Sequence, residues 1–123
     1  MRILIAGRQA VTRRALTTFL GTRPELNVVG EAADNGELMT QVEAGRPDLV
    51  LLDEDLPGGP MSETISALRR LGFPLAVIAI SGRLESEQAA LAAGADAFVS
   101  KGDPPKRLLI AIESIRLRGD YEE

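Results

Sequence analysis

Leu49-Val50-Leu51-Leu52 runs without a polar residue straight into Asp53, and Leu56-Pro57-Gly58 turns the chain a few residues later. A strand with one wetted face alternates apolar and polar residues. One without alternation is covered on both faces, as in a parallel sheet. Such a strand carries Asp53 out of the core at its carboxyl end, where open α/β sheets place their ligands. Glu54 and Asp55 follow at once, so the turn is strongly anionic. Taken alone, an acid before Pro-Gly is equally well a turn or capping residue.

The rest of the chain repeats the pattern. Arg2-Ile3-Leu4-Ile5-Ala6 is a short apolar strand ending at Gly7, and Val11, Ala15, Phe19 and Leu20 then fall at helical spacing on one side. Gly21 and Pro24 close that helix. Asn27 to Glu31 reads as a second strand, and Asn35-Gly36 opens a helix through Leu38, Met39 and Val42 that ends at Gly45 and Pro47. After the Asp53 turn, Ser62 precedes a helix with Ile65, Leu68 and Leu71, closed by Gly72 and Pro74. Leu75 to Ile80 is the fourth strand and delivers Ser81-Gly82; an alanine-rich helix from about Leu84 to Ala93 follows. Asp96 to Ser100 is the fifth strand, ending at Lys101, and Pro104 or Pro105 starts a last helix with Leu108, Ile112 and Ile115 inward. Strand and helix alternate throughout at roughly regular intervals, which predicts one three-layer α/β domain with a five-stranded parallel sheet.

Composition narrows the chemistry. The 123 residues suffice for one domain with its own core. Without cysteine there are no disulfides or thiolate metal sites, and without histidine the commonest general base is missing. We therefore expect no enzyme in the ordinary sense. A net charge of −4 gives no positive footprint for direct nucleic-acid binding. No apolar run reaches membrane-span length and Met1-Arg2 opens no signal peptide, so a cytoplasmic protein is expected.

Right-handed crossovers bring every strand's carboxyl end to one rim. That rim collects Gly7-Arg8, Asp53-Glu54-Asp55, Ser81-Gly82 and Lys101. A carboxylate, a hydroxyl and an ammonium converging there could together hold a phosphoryl group.

With Pro47-Asp48-Leu49-Val50-Leu51-Leu52-Asp53, Leu56-Pro57-Gly58, Gly94-Ala95-Asp96-Ala97-Phe98 and Lys101 in this order, the sequence resembles a response-regulator receiver domain of the NarL/LuxR-type subgroup. The resemblance runs from Ile3 to about Ile115. It implies a flavodoxin-like (βα)5 fold, strand order 2-1-3-4-5, with helices on both faces. It makes Asp53 the phospho-accepting position, Ser81 and Lys101 the phosphoryl contacts, and Phe98 the switch aromatic. It also implies two consecutive acids after the first strand, which hold magnesium in the family. Here those positions read Gly7-Arg8.

Magnesium ordinarily neutralises the charge that develops when a phosphoryl group meets a carboxylate. Lacking both acids, the rim is a poor magnesium site, and no cofactor is expected. Arg8 admits two readings: its guanidinium lies over Asp53 in the space of the metal, or it is a solvated loop arginine.

The expectation is an atypical (pseudo-)receiver, a signalling and dimerisation module controlling a transcriptional output without magnesium-dependent phosphorylation. The alternative is a working receiver that accepts a phosphoryl group on Asp53 from a histidine kinase. A small-molecule binder on the same rim is a third class, but no glycine-rich phosphate loop follows the first strand. On the last helix Ile110, Glu113 and Leu117 fall opposite the inward stripe, which predicts a homodimer through that helix. Residues 1–118 read as the receiver and 119–123 as the start of a linker or tail. A DNA-binding output domain would lie outside these residues.

Overall fold

The computed structural model describes residues 1–119. Its strands are β1 (Arg2–Ala6), β2 (Asn27–Ala32), β3 (Leu49–Asp53), β4 (Ala76–Ser81) and β5 (Ala97–Ser100). Its helices are α1 (Ala10–Leu20), α2 (Asn35–Gly45), α3 (Met61–Arg69), α4 (Glu87–Ala93) and α5 (Pro105–Arg118). The strands pair in parallel in the order 2-1-3-4-5, as expected. The order reverses between β1 and β3, and the rim above that reversal holds Gly7 and Asp53.

Alternation along the strands builds the three layers. Ile3, Ile5, Leu49, Leu51, Ile78 and Ile80 pack with Leu20 of α1 and with Leu108, Ile112 and Ile115 of α5. Leu4, Ala6, Val50, Leu52, Val77 and Ala79 pack instead with Leu38 and Val42 of α2, Ile65 and Leu68 of α3 and Ala90 of α4. Every residue of β3 and of β4 is buried. Each fully buried Leu or Ile contributes roughly 1.5–3 kcal/mol, so these two central strands are the rigid base on which the rim stands. The unbroken apolar run noted in the sequence is thus buried from both sides.

Local chemistry sets the helix ends. Asp34 caps α2 by accepting from the Glu37 backbone N–H, and the Glu37 side chain reaches back to accept from the N–H of Ala33, the residue before the cap. Gly94 ends α4 in the left-handed region (φ 116°), and Pro105 opens α5 where a missing N–H costs nothing.

The elements differ from the sequence reading in several places. Helix α3 already begins at Met61, so Ser62 lies inside it, and it ends at Arg69, before Leu71. Val11 and Ala15 of α1 are exposed, and only Leu16, Phe19 and Leu20 of its apolar residues turn toward the sheet. Leu20 is the helix's one buried residue. At about 100° per residue, Val11, nine positions away, points nearly opposite it. The alanine-rich segment begins as a 3-10 turn, Leu84–Ser86, and becomes α-helical only at Glu87. Strand β5 starts at Ala97, because the Asp96 carboxylate is used outside the ladder. It accepts from the Val77 N–H (2.8 Å) and pairs with Arg69 (2.5 Å) and Arg118 (2.9 Å), tying β4, α3 and the end of α5 together.

Gly119 caps α5 at φ 70°, and the remainder of the expected linker, 120–123, lies outside the described residues. Among the described residues, no helix is long and apolar enough to cross a membrane.

Candidate functional site

Strands β3, β4 and β5 lie side by side, so their carboxyl ends deliver Asp53, Ser81 and Lys101 to one short stretch of rim. Asp53 is only 9% exposed. Its Oδ1 accepts from the Asp55 backbone N–H at 2.9 Å, and its Oδ2 meets the Lys101 ammonium at 3.0 Å. Lys101 also donates to Asp55 Oδ2 at 3.1 Å. The Lys101 backbone N–H is held on the Ser81 carbonyl at 2.9 Å, which fixes where the ammonium starts. Three of the anticipated residues are therefore neighbours, and two are in direct contact.

Arg8 is not over Asp53. It is exposed and takes part in no ion pair or side-chain hydrogen bond among the described residues, so the solvated reading is the correct one. The counter-charge on Asp53 comes from Lys101, whose backbone is anchored, whereas Arg8 sits in the bend beyond β1. A different cation approaches Gly7: Arg13, one turn into α1, donates to the Gly7 carbonyl at 2.6 Å and to Glu31 at 2.9 Å. A Cβ on Gly7 would stand 3.4 Å from Asp53 Cβ, in ordinary contact, so this position faces the acid directly.

Strand alternation separates the other residues. Asp53 leaves β3 on the α1/α5 side, while Glu54 leaves it on the other. Ser81 lies on the Glu54 side, and its hydroxyl donates to Glu54 Oε1. Arg83 Nη2 reaches Glu54 Oε2 at 2.8 Å and Ser86 Oγ reaches it at 2.9 Å. Phe98 is half-buried and packs into the core on the α2/α3/α4 side, the face of the sheet away from Asp53. Arg13, Arg83 and Ser86 were not picked out from the sequence, and Glu54 was seen only as one acid of the rim. The acidic trio was visible, but only the pleat tells its members apart.

On the α1/α5 side a groove of about 420 Å³ runs from Asp53 and Lys101 past Leu16, Phe19, Val99 and Pro104. On the outer side of α5, Ile110 is 59% and Leu117 81% exposed, and Glu113, also exposed, pairs with Arg116 at 2.9 Å.

The charges are tuned by their partners. Burial alone would raise the Glu54 carboxyl, but hydrogen bonds from Ser81, Arg83 and Ser86 and the charge of Arg83 together lower its pKa. Burial would lower the Lys101 ammonium, but Asp53 and Asp55 together raise it. A lowered carboxyl contributes stability above its unfolded pKa, and that contribution is lost as pH falls through the folded value. The stability advantage of wild type over Glu54→Gln, read by urea unfolding, is expected to be constant above about pH 5 and to shrink in acid. Lys101 has the opposite sign: its contribution is present below the unfolded ammonium value and is lost as pH rises through the raised one. Wild type and Lys101→Met should therefore converge only in strong alkali.

The order 2-1-3-4-5 and an acid-centred rim define a flavodoxin-like domain of the receiver type. Residues 3–113 match the response regulator receiver domain family, and the chain belongs to it. The chain is 32% identical over 117 residues to the DNA-binding transcriptional activator DevR/DosR of Mycobacterium tuberculosis, covering 94% of this chain and 54% of that protein. It is 36% identical over 118 residues to a protein-glutamate methylesterase/protein-glutamine glutaminase of Geobacter sulfurreducens, covering 94% of this chain and 31% of that protein. The crystal structure of a LuxR-family two-component response regulator from Aurantimonas sp. SI85-9A1 superposes with a TM-score of 0.87 at 29% identity, covering 93% of this chain and 83% of that one. The chain spans about half the length of the curated transcriptional relatives it matches. Receiver domains of response regulators are signalling modules, mostly non-enzymatic, although one relative is a methylesterase.

Proposed function

We propose that this chain is an atypical receiver of a NarL/LuxR-type response regulator, a cytoplasmic module that controls a transcriptional output without magnesium-assisted phosphorylation of Asp53. One observation carries the reading: the rim position where a Cβ would meet Asp53 Cβ at 3.4 Å is a glycine, and its neighbour Arg8 pairs with no acid among the described residues. The residues present do not fit magnesium. A hard dication needs several oxygen ligands, and among the described residues no group of three acidic, histidine or cysteine side chains converges to supply them. Asp53 and Asp55 already share the Lys101 ammonium. A small phosphodonor would therefore bring anionic oxygens against Asp53 with little to neutralise the charge that develops.

Intact-mass measurement after incubation with acetyl phosphate and magnesium tests this. Wild type is expected to stay unmodified. A stoichiometric phosphoryl adduct that vanishes in Asp53→Asn establishes the alternative, a working receiver fed by a histidine kinase. The 3.0 Å contact between Lys101 and Asp53 is the observation that favours that alternative.

The same reading makes the module a homodimer. Ile110 and Leu117 stand seven residues apart on the exposed side of α5, flanked by the Glu113–Arg116 pair. Two aliphatics one heptad apart suit a self-complementary two-fold contact between helices. DevR/DosR is a DNA-binding transcriptional activator, and a DNA-binding output domain serving this receiver would lie outside these residues.

A further inference from the structure

A second carboxylate on the rim has no part in the reading above. The Glu54 side chain is 17% exposed, and groups from three successive parts of the chain converge on it. Ser81, the last residue of β4, donates its hydroxyl to Oε1. Arg83, in the connection that follows, places Nη2 2.8 Å from Oε2. Ser86, in the 3-10 turn before α4, lies 2.9 Å from Oε2 and 3.1 Å from Oε1. The ring closes through the backbone, because the Arg83 N–H donates to Ser81 Oγ at 2.9 Å.

A serine hydroxyl carries one proton. At Ser81 that proton goes to Glu54, a much shorter contact than the 3.3 Å to the Arg83 carbonyl, and one oxygen lone pair is already taken by the Arg83 N–H. Hydrogen bonds to an ionised carboxylate are the strong kind, and these sit in a partly buried setting. The other charges nearby do not displace them. Lys101 is occupied by Asp53 and Asp55, and Asp55 and Glu85 act on Arg83 in the same attractive sense as Glu54.

We infer that Glu54 is a positioning residue: its carboxylate is a built-in ligand that pins the Ser81 hydroxyl on the side of the sheet where the pleat places it, away from Asp53, and holds the Arg83–Ser86 connection in one arrangement without any bound anion. An anion arriving on the Asp53 side must compete with Glu54 for the Ser81 hydroxyl. The inference stands on the Glu54 geometry and holds whether or not Asp53 accepts a phosphoryl group.

NMR on the full chain tests it with Glu54→Leu, Glu54→Gln and wild type. The readouts are Ser81 side-chain couplings, which report its rotamer, and hydrogen exchange of the 83–86 amides, with the 76–80 amides of β4 as internal control. In wild type a single Ser81 rotamer is expected. In Glu54→Leu the rotamer should average and the 83–86 amides exchange about tenfold faster, while the β4 amides stay unchanged. Glu54→Gln keeps an acceptor oxygen for Ser81 and should retain its rotamer while loosening Arg83. An unaltered Ser81 rotamer in Glu54→Leu, with 83–86 exchange within about twofold of wild type, overturns the inference. If Glu54→Leu does not fold, Arg83→Ala/Ser86→Ala replaces it. That pair should free the 83–86 amides and leave Ser81 on Glu54, and unchanged exchange there is equally fatal.

Discussion

Gly7→Asp/Arg8→Asp is expected to take up a phosphoryl group from acetyl phosphate in the presence of magnesium on the order of a hundredfold faster than wild type. The reaction moves the phosphoryl from the acetate oxygen to an Asp53 Oδ, forming an acyl phosphate and releasing acetate. What the wild-type rim lacks is a charge opposite the oxygens in flight. Space is not the obstacle. A Cβ at position 7 meets Asp53 Cβ at 3.4 Å, and Gly7 is not among the residues in left-handed backbone, so an aspartate fits without strain. Asp53 Oδ2 follows at 3.8 Å, and the nearest atom of any other residue, Arg13 Cγ at 3.9 Å, belongs to a side chain that can shift.

Three clustered acids repel one another, so the double variant should be less stable than wild type in chelator and regain stability as magnesium is added. That titration reads metal binding without any phosphodonor. Asp53→Asn in the same background should abolish the adduct. A variant that neither gains stability from magnesium nor takes up the phosphoryl group would show that more than the acid pair disables the rim, and the Glu54 hold on Ser81 becomes the next place to look.

Ile110→Glu/Leu117→Glu is expected to weaken the homodimer on the order of a thousandfold and to leave the monomer folded. Both residues are exposed in the single chain, so the glutamates cost the monomer little. In a two-fold contact each stripe faces its equivalent, and the substitutions would place unpaired carboxylates in the centre of the interface. Sedimentation at tens of micromolar should show dimeric wild type and a monomeric variant. A monomeric wild type, or a dimer indifferent to both glutamates, places any self-contact on another face, of which the exposed Val11 side of α1 is one.

Much of the fold was legible in the sequence because burial on both faces leaves a one-dimensional mark. The apolar runs at Leu49–Leu52 and Leu75–Ile80 could only be central strands, and the regular alternation of strand and helix left one layered architecture. The inward stripe of α5 was equally plain, since Leu108, Ile112 and Ile115 keep helical spacing and are all buried. On α1 the same logic chose too many residues. Val11 is apolar and at helical spacing from Ala15, yet it stands 77% exposed, because it points nearly opposite Leu20, the helix's buried residue.

Periodicity located the rim; it did not decide the pairing of its charges. Asp53, Glu54 and Asp55 read as one acidic cluster, and Arg8 looked like the nearest cation to it. In the folded chain the pleat sends Asp53 and Glu54 to opposite faces, and two neighbouring strands supply their partners: Lys101 to one, Ser81 and its connection to the other. Arg8 is close in sequence to the rim and contributes to neither. Sequence by itself determined where the carboxylates emerge, since that follows from burial and strand direction. Only the tertiary structure decided which donor each one holds, because a hydrogen bond or ion pair depends on contact within a few ångströms between side chains 27 to 48 residues apart in the chain.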